Sequence, residues 1–336
     1  MTGVLSLYPT TRMRPQSLRK AVLSFVILAA ASTVAVSQTV WTPQHIDVKG
    51  DLNVVYFTSS DKGWVAGDNG YLAQTRDGGQ TWMPFALNTS ENVNEIYFRN
   101  EDNGYLVAGR KMFITHDGGR SWQDIRPYRT GAFANGEPEF NSIRFTDKKR
   151  GYIVGSVVKG DNVLDSLLYR TEDGGDTWQR VQLPVKNELI HLVFRGNSRG
   201  WIVGSGGLIL ATTDDGISWT RQQTGVSSTL YNVDFRDDDN GFAVGEKGTI
   251  LRTENGGASW VKAASGVNGT LLRVDFADSK NGWIVGRGGV ILRSGDKGLT
   301  WVRQESGTTS NLFGLFMDKK YGWAVGQNGL VLKYKK

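Results

Sequence analysis

The 336-residue sequence contains no cysteine. That removes disulfides, thiol catalysis and a lipid-modified cysteine from consideration. It does not argue against export, because a chain of this length can bury a core that needs no cross-links. Histidine is scarce: His45, His116 and His191 have no spacing that would join them as metal ligands. Excess charge of one sign is also largely missing. The formal net charge is +6, but residues 1–37 carry Arg12, Arg14, Arg19 and Lys20 and no acidic side chain. Without them, 299 residues hold 35 basic against 33 acidic side chains, a net +2. A nucleic-acid partner therefore loses its main support.

Those four basic residues precede the apolar run Ala21 to Ala31, which is short for a bilayer span. Ala35-Val36-Ser37 then supplies a small-x-small cleavage site. Residues 1–37 read as a secretory signal peptide, with Met13 an alternative start. The expected location is periplasmic or secreted, or membrane-anchored if the segment is retained. Residues 38–336 form the expected folded domain.

Glycine and tryptophan are abundant, with 43 and 11 copies. The reason is a repeat. TRDGGQTW (Thr75 to Trp82) returns as THDGGRSW, TEDGGDTW, TTDDGISW, TENGGASW and SGDKGLTW. The six motif tryptophans, Trp82, Trp122, Trp178, Trp219, Trp260 and Trp301, are spaced by 40, 56, 41, 41 and 41 residues. A Gly-aromatic pair occurs seven times, from Gly63-Trp64 to Gly322-Trp323, each with a phenylalanine six residues ahead, from Phe57 to Phe316. Each unit reads as four short strands, here a to d: strand a ends at the phenylalanine, b begins at Gly-aromatic, c is Leu/Ile-rich and d starts at the tryptophan. About 41 residues and four strands per unit is the pattern of a propeller blade. The expected fold is all-β, a seven-bladed β-propeller of four-stranded antiparallel blades. The seventh repeat stops at its strand c, Val331 to Tyr334, and Trp41 lies 41 residues before Trp82. Thr39 to Thr42 is thus the expected missing strand d, closing the ring and leaving no open edge.

The third repeat is long. About seven extra residues lie between strands d and a, in RPYRTGAFANGEPEF, and about eight between b and c, in SVVKGDNVLDS. In a propeller both connections emerge on one face, and binding residues favour loops on a rigid scaffold. Arg110 and Arg287 map to b–c connections on that face. Arg126, Tyr128, Arg129 and Phe133 fall in the d–a insertion, and Arg273 begins a strand a near the central opening. These seven are the candidate protein-binding residues, an Arg/aromatic patch for an acidic or partly unfolded segment. The alternative is scattered, solvated charge.

Catalytic and ligand-binding signals are thin. GSGGL (Gly204 to Leu208) precedes a strand rather than a helix, which does not suit a phosphate cradle. Asp237-Asp238-Asp239 suits an exposed a–b turn, with calcium the alternative. The repeated motif resembles the Asp-box, or bacterial neuraminidase repeat, and serves as a turn staple: the carboxylate accepts backbone N–H bonds and the tryptophan packs between blades. Sialidases and xyloglucanases share the box. A sialidase would need an Arg triad, a Tyr nucleophile and a carboxylate converging in the central pocket, and the Phe/Tyr-Arg-Ile-Pro signature is missing.

Strings such as GWIVGSGGLILATTDDGISW and GFAVGEKGTILRTENGGASW make residues 39–336 resemble the photosystem II stability/assembly factor family. The resemblance implies a non-enzymatic scaffold in photosynthesis or a related assembly process. It also implies a protein partner from a membrane or envelope complex, recognised through an Arg patch and a third-blade insertion. Cofactors, metals, nucleic acid and a small-molecule substrate are not expected, and the working form is expected to be a monomer. The absence of a lipobox cysteine departs from the pattern of the cyanobacterial members.

Overall fold

The glycine of each Gly-aromatic pair is required by a ring. In the computed structural model of the protein, which describes residues 41–133, 135–196 and 198–335, a Cβ on Gly63 would lie 2.5 Å from the Phe57 ring. Gly104, Gly151, Gly200, Gly241 and Gly282 face the phenylalanine of their own strand a in the same way. The far side of each phenylalanine stacks on the aromatic of the preceding repeat. Phe98 lies 4.0 Å from Trp64 at 22°, and Phe235 lies 3.6 Å from Trp201 at 18°. Phe57 stacks on Trp323 at 3.5 Å, joining the first repeat to the last. The motif tryptophan meets the same ring edge-on, as Trp122 does Phe98 at 79°. Such pairs contribute about 0.5–1.5 kcal/mol each beyond their burial.

The result is seven four-stranded antiparallel sheets in a closed ring, with seven apolar cores between neighbouring blades. The inner strands a are Leu52–Phe57, Val93–Phe98, Glu137–Phe145, Leu189–Arg195, Leu230–Phe235, Leu271–Phe276 and Leu312–Met317. The seventh differs from the repeat pattern. Its a–b turn is one residue shorter, so Met317 rather than Phe316 pairs with Gly322. The Met317 sulfur fills the space in front of Gly322, and Phe316 turns into the central channel.

Closure occurs through the N-terminal strand. Trp41–Gln44 pairs with Val331–Lys335, with Trp41 opposite Tyr334. Trp41 is 1% exposed and packs with Trp283, Leu312 and Tyr334 in the core between blades 6 and 7. The strand reaches two residues past Thr42. Thr39, Val40 and the expected signal segment 1–37 lie outside the described residues.

The Asp-box is a closed hydrogen-bonded turn. In its first copy Asp77 accepts from the Thr81 N–H at 2.9 Å and the Thr81 hydroxyl at 2.6 Å. The Thr75 hydroxyl donates to Asp77 at 2.8 Å and accepts from the Gly79 N–H at 2.8 Å. Gly79 has φ of 83°, the left-handed region that glycine enters without strain. The same bonds recur in the other copies, with Asn255 replacing aspartate in the fifth. Each box also binds the a–b turn of its own blade, as Gly78 N–H does Asp61 O at 3.0 Å. On the opposite face the b–c turns bind the d–a connections, as Asp68 N–H does Asp51 O.

Blade 3 carries its extra residues differently from a pair of loops. Those between b and c extend the strands, giving Gly151–Lys159 and Asn162–Thr171 joined through Gly160-Asp161, a hairpin taller than the four- to six-residue strands of other blades. Strand a lengthens beside it, with Glu137 opposite Val158. Only the d–a insertion, between Gln123–Ile125 and Glu137, is an irregular loop.

Trp41→Ala should lower stability by about 3–5 kcal/mol, as for other buried tryptophans, measurable by urea unfolding. An unchanged midpoint would mean that the N-terminal strand does not hold the ring. In a box, Asp214→Ala should destabilise by about 1–2 kcal/mol through the bonds it loses. Asp214→Asn, which imitates the fifth repeat, should stay near wild type in the same assay.

Candidate functional site

Two sites open on the insertion face or along the ring axis: a loop cleft at blades 2 and 3, and the central channel. The cleft has a volume of about 510 Å3 and brings together four of the seven residues expected from the sequence: Arg110, Arg126, Tyr128 and Phe133. Tyr128 and Phe133 lie 5.3 Å apart at 66° and pack against the core between blades 2 and 3, anchoring the loop. The Arg126 guanidinium sits 5.9 Å over Tyr128 and reaches the Thr130 hydroxyl at 3.3 Å. Arg110 is already neutralised, bonding Glu91 at 3.0 Å and Glu137 at 2.6 Å. Lys111 pairs with Asp124 at 3.1 Å. The cation in the cleft that carries no carboxylate partner among the described residues is therefore Arg126.

The other three expected residues are elsewhere. Arg129 is exposed on the loop but does not line the cleft. Arg287 is exposed in the turn Arg287–Gly289 of blade 6. Arg273 lies inside the ring, where its charge is opposed by burial.

The channel is organised by a feature that periodicity does not reveal. Every strand a has a register shift near its start, between Leu52 and Val54 in blade 1 and at the matching point of the other six. A bulge re-aims the extra residue. The seven bulged residues are Asn53, Asn94, Asn141, Ile190, Tyr231, Leu272 and Phe313, and together they ring the channel mouth on the insertion face. Three of them also stitch the ring. Asn53, Asn94 and Asn141 donate from Nδ2 to the next strand at Val93 O, Phe140 O and Leu189 O, at 3.2, 2.8 and 2.9 Å.

Deeper in, polar side chains serve as acceptors for the neighbouring strand. Glu95 accepts from Ile143 N–H at 3.1 Å, Asn232 from Val274 N–H at 3.0 Å and Asp275 from Met317 N–H at 2.7 Å. Tyr56 and Tyr97 donate to Phe98 O and Phe145 O. Around this frame runs a charged cluster. Arg144 Nη1 lies 2.5 Å from Glu95, and His191 Nε2 lies 3.6 Å from the same carboxylate. Burial acts to raise the Glu95 carboxyl, but Arg144 and His191 outweigh it and hold it at about 2. Burial keeps His191 neutral, pushed down to about 4. Asp234 and Asp275 are both raised by burial, and Asp275 further by its neighbour Asp234, to about 8. At neutral pH one proton on this pair relieves the repulsion.

None of Glu95, Arg144, His191, Asp234 or Asp275 was singled out as a site residue from the sequence. A signal did exist for three of them: the position before the strand-a phenylalanine holds Arg144, Asp234 and Asp275 in repeats 3, 5 and 6, where repeats 4 and 7 hold Val193 and Leu315. The Asp237-Asp238-Asp239 run folds as an a–b turn, Asp237 accepting from the Asp239 and Asn240 N–H groups. Among the described residues no group of three or more His, Asp or Glu converges as a metal site would.

Asp275 predicts a pH dependence. Its carboxyl is raised in the folded state, so its contribution to stability is fully present below the unfolded value of about 4 and is lost as pH rises toward about 8. Asp275→Asn keeps the acceptor for Met317 and removes the titration. The variant should melt higher than wild type at alkaline pH and show a flatter melting profile across the neutral range.

The family model described as photosynthesis system II assembly factor YCF48 matches residues 33–126, 82–186, 134–225, 217–305 and 261–335. No curated protein matches the chain. Among solved structures, YCF48 bound to D1 peptide is 24% identical, with a TM-score of 0.72 over 90% of this chain and 99% of that one. YCF48 from Cyanidioschyzon merolae is 20% identical, TM-score 0.69, over 88% and 98%. The GH74 xyloglucanase from Xanthomonas campestris is 15% identical, TM-score 0.65, over 88% of this chain but 53% of the enzyme. At these identities the solved structures establish the shared propeller fold.

Proposed function

The chain belongs to the photosynthesis system II assembly factor YCF48 family, and from that membership we propose that it is an exported, non-enzymatic scaffold. In this reading it holds an extended protein segment in the blade 2–3 cleft while a membrane or envelope complex assembles. The observation that carries the reading is the cleft itself: a third-blade insertion anchored by Tyr128 and Phe133 presents Arg126 beside two aromatic rings. Aromatic and Arg side chains around a recess are the composition of a protein-binding hot spot. The relative solved with a D1 peptide supports a polypeptide as the class of ligand. Export rests on the character of residues 1–37, and the scaffold acts as a monomer.

The state of Arg110 narrows the partner's chemistry. With Arg110 and Lys111 already paired, the cleft favours a segment with apolar or aromatic side chains and a single acidic group over a polyacidic tail. Arg126→Glu together with Arg129→Glu should leave melting unchanged, because both side chains are exposed. Co-purification of a membrane-complex subunit from the source organism's solubilised membranes should fall by about tenfold or more. Arg287→Ala, on blade 6, should leave it unaltered. Retention by the double variant would remove the cleft as the binding site.

One observation favours a second reading. Tyr56, Glu95, Arg144 and Arg273 do converge in the channel, with the Tyr97 ring 5.0 Å from the Arg144 guanidinium, the residue types an Asp-box glycosidase would need. Against it, both Tyr hydroxyls are bonded to backbone carbonyls, and burial pushes the Tyr56 hydroxyl up to about 12. The cavity, about 210 Å3, is also below the usual ~300–1,000 Å3 of ligand pockets. Turnover of sialosides or glucans, lost in Asp275→Asn, would establish the enzyme; none is expected.

A further inference from the structure

The channel mouth on the insertion face forms a cup of about 220 Å3. That is the volume of about seven liquid waters at ~30 Å3 each, enough for one side-chain-sized ligand. Ile190, Leu272 and Phe313 give it apolar walls. Arg273 lines both this cup and the cavity beneath it, so it stands between the two. Its surroundings differ from those of Arg144. Arg144 holds Glu95 at 2.5 Å, whereas Arg273 has no carboxylate within 4.0 Å among the described residues. Its guanidinium reaches only its neighbour Leu272 O, at 3.4 Å. Glu95 attracts it at longer range but is already committed to Arg144, which repels it.

Arg273 is half-buried at the mouth with no carboxylate partner among the described residues, and a carboxylate entering the cup would gain charge-assisted hydrogen bonds from it. We propose that the channel mouth is a carboxylate-binding cup, with Arg273 as the counter-ion and a short apolar stem seated against Ile190, Leu272 and Phe313. Each bulged asparagine already gives one Nδ2 hydrogen to the neighbouring strand, which fixes its side chain at the rim. Glu188 on the rim disfavours polyanions, while its own carboxyl is raised by burial and by Glu139. The ligand class is therefore a monocarboxylate on an aliphatic stem, either a Glu or Asp side chain of a polypeptide or a small free acid. The cup and the blade 2–3 cleft share no lining residue, so either site can fail without the other.

The test uses the folded propeller with 15N-labelled arginine. The Nε–Hε signal of Arg273, assigned through Arg273→Lys, is followed during titration with butyrate, butyramide, acetyl-Gly-Glu-Gly-amide and its Gln counterpart. Butyrate or the Glu peptide should shift the signal saturably, and the two amides should not. The Glu peptide binding more tightly than butyrate identifies a polypeptide source; the reverse identifies a free acid. In Arg273→Leu the binding, read by calorimetry, should weaken by about tenfold or more. Ile190→Trp fills the cup while leaving Arg273 in place; it should abolish the shift, and it decides the matter if the leucine variant does not fold. The proposal is overturned if no acid gives a saturable shift, if chloride at equal ionic strength gives the same one, or if Ile190→Trp still binds.

Discussion

The stacking of one ring on another across each blade boundary is the contact on which the rest of the structure depends. Phe98 over Trp64 or Phe235 over Trp201 can approach to about 4 Å only because the glycine behind the phenylalanine has no Cβ. Remove that space and the phenylalanine must leave its place between two sheets. Each blade then loses the one surface that registers it against its neighbour. A propeller blade has no core of its own, so stability is shared around the ring and is complete only when the last boundary closes. Phe57 on Trp323, and Trp41 between blades 6 and 7, make that closure.

A second constraint comes from the centre. Seven strands converge on one axis, and each carries a bulge that leaves backbone groups without their usual ladder partners. Side chains fill the deficit: Glu95, Asn232 and Asp275 accept from the next strand, and Asn53, Asn94 and Asn141 donate to it. The polar character of the channel is thus first a solution to backbone hydrogen bonding. It also explains how residues of catalytic type gather on the axis without being free to react. Arg273 has no carboxylate partner among the described residues, and its position at the mouth gives the axis a use beyond architecture.

Function on such a frame falls to whatever departs from the repeat. Blade 3 departs most, with a raised hairpin from Gly151 to Thr171 and a loop held by Tyr128 and Phe133. The hairpin stays paired to its tip, past a bulge between Val157 and Val158, because added residues in a b–c connection can keep pairing, with Ser156 opposite Ser166 and Lys159 opposite Asn162. The d–a insertion joins two strands that do not pair, so it remains a loop and forms the cleft wall. Both features sit on the face away from the Asp-boxes, which are saturated with their own hydrogen bonds.

Blade number, strand order, the closing role of Trp41 and the irregularity of blade 3 were legible in the chain, because each depends on spacing and spacing survives in one dimension. The shift from Phe316 to Met317 was not, since a turn shortened by one residue moves the register without altering the motif. Nor were the bulges, which arise where seven inner strands compete for room around an axis. Whether an arginine is available depends on its neighbours in space: Arg110 is held by Glu91 and Glu137, nineteen and twenty-seven residues away, and Arg273 by no carboxylate among the described residues. The repeated motif specified by itself how the chain is divided and closed, through local turns and periodic rings. Only the tertiary structure decided which charges are spent and which remain, because pairing of charge is settled by distance across blades.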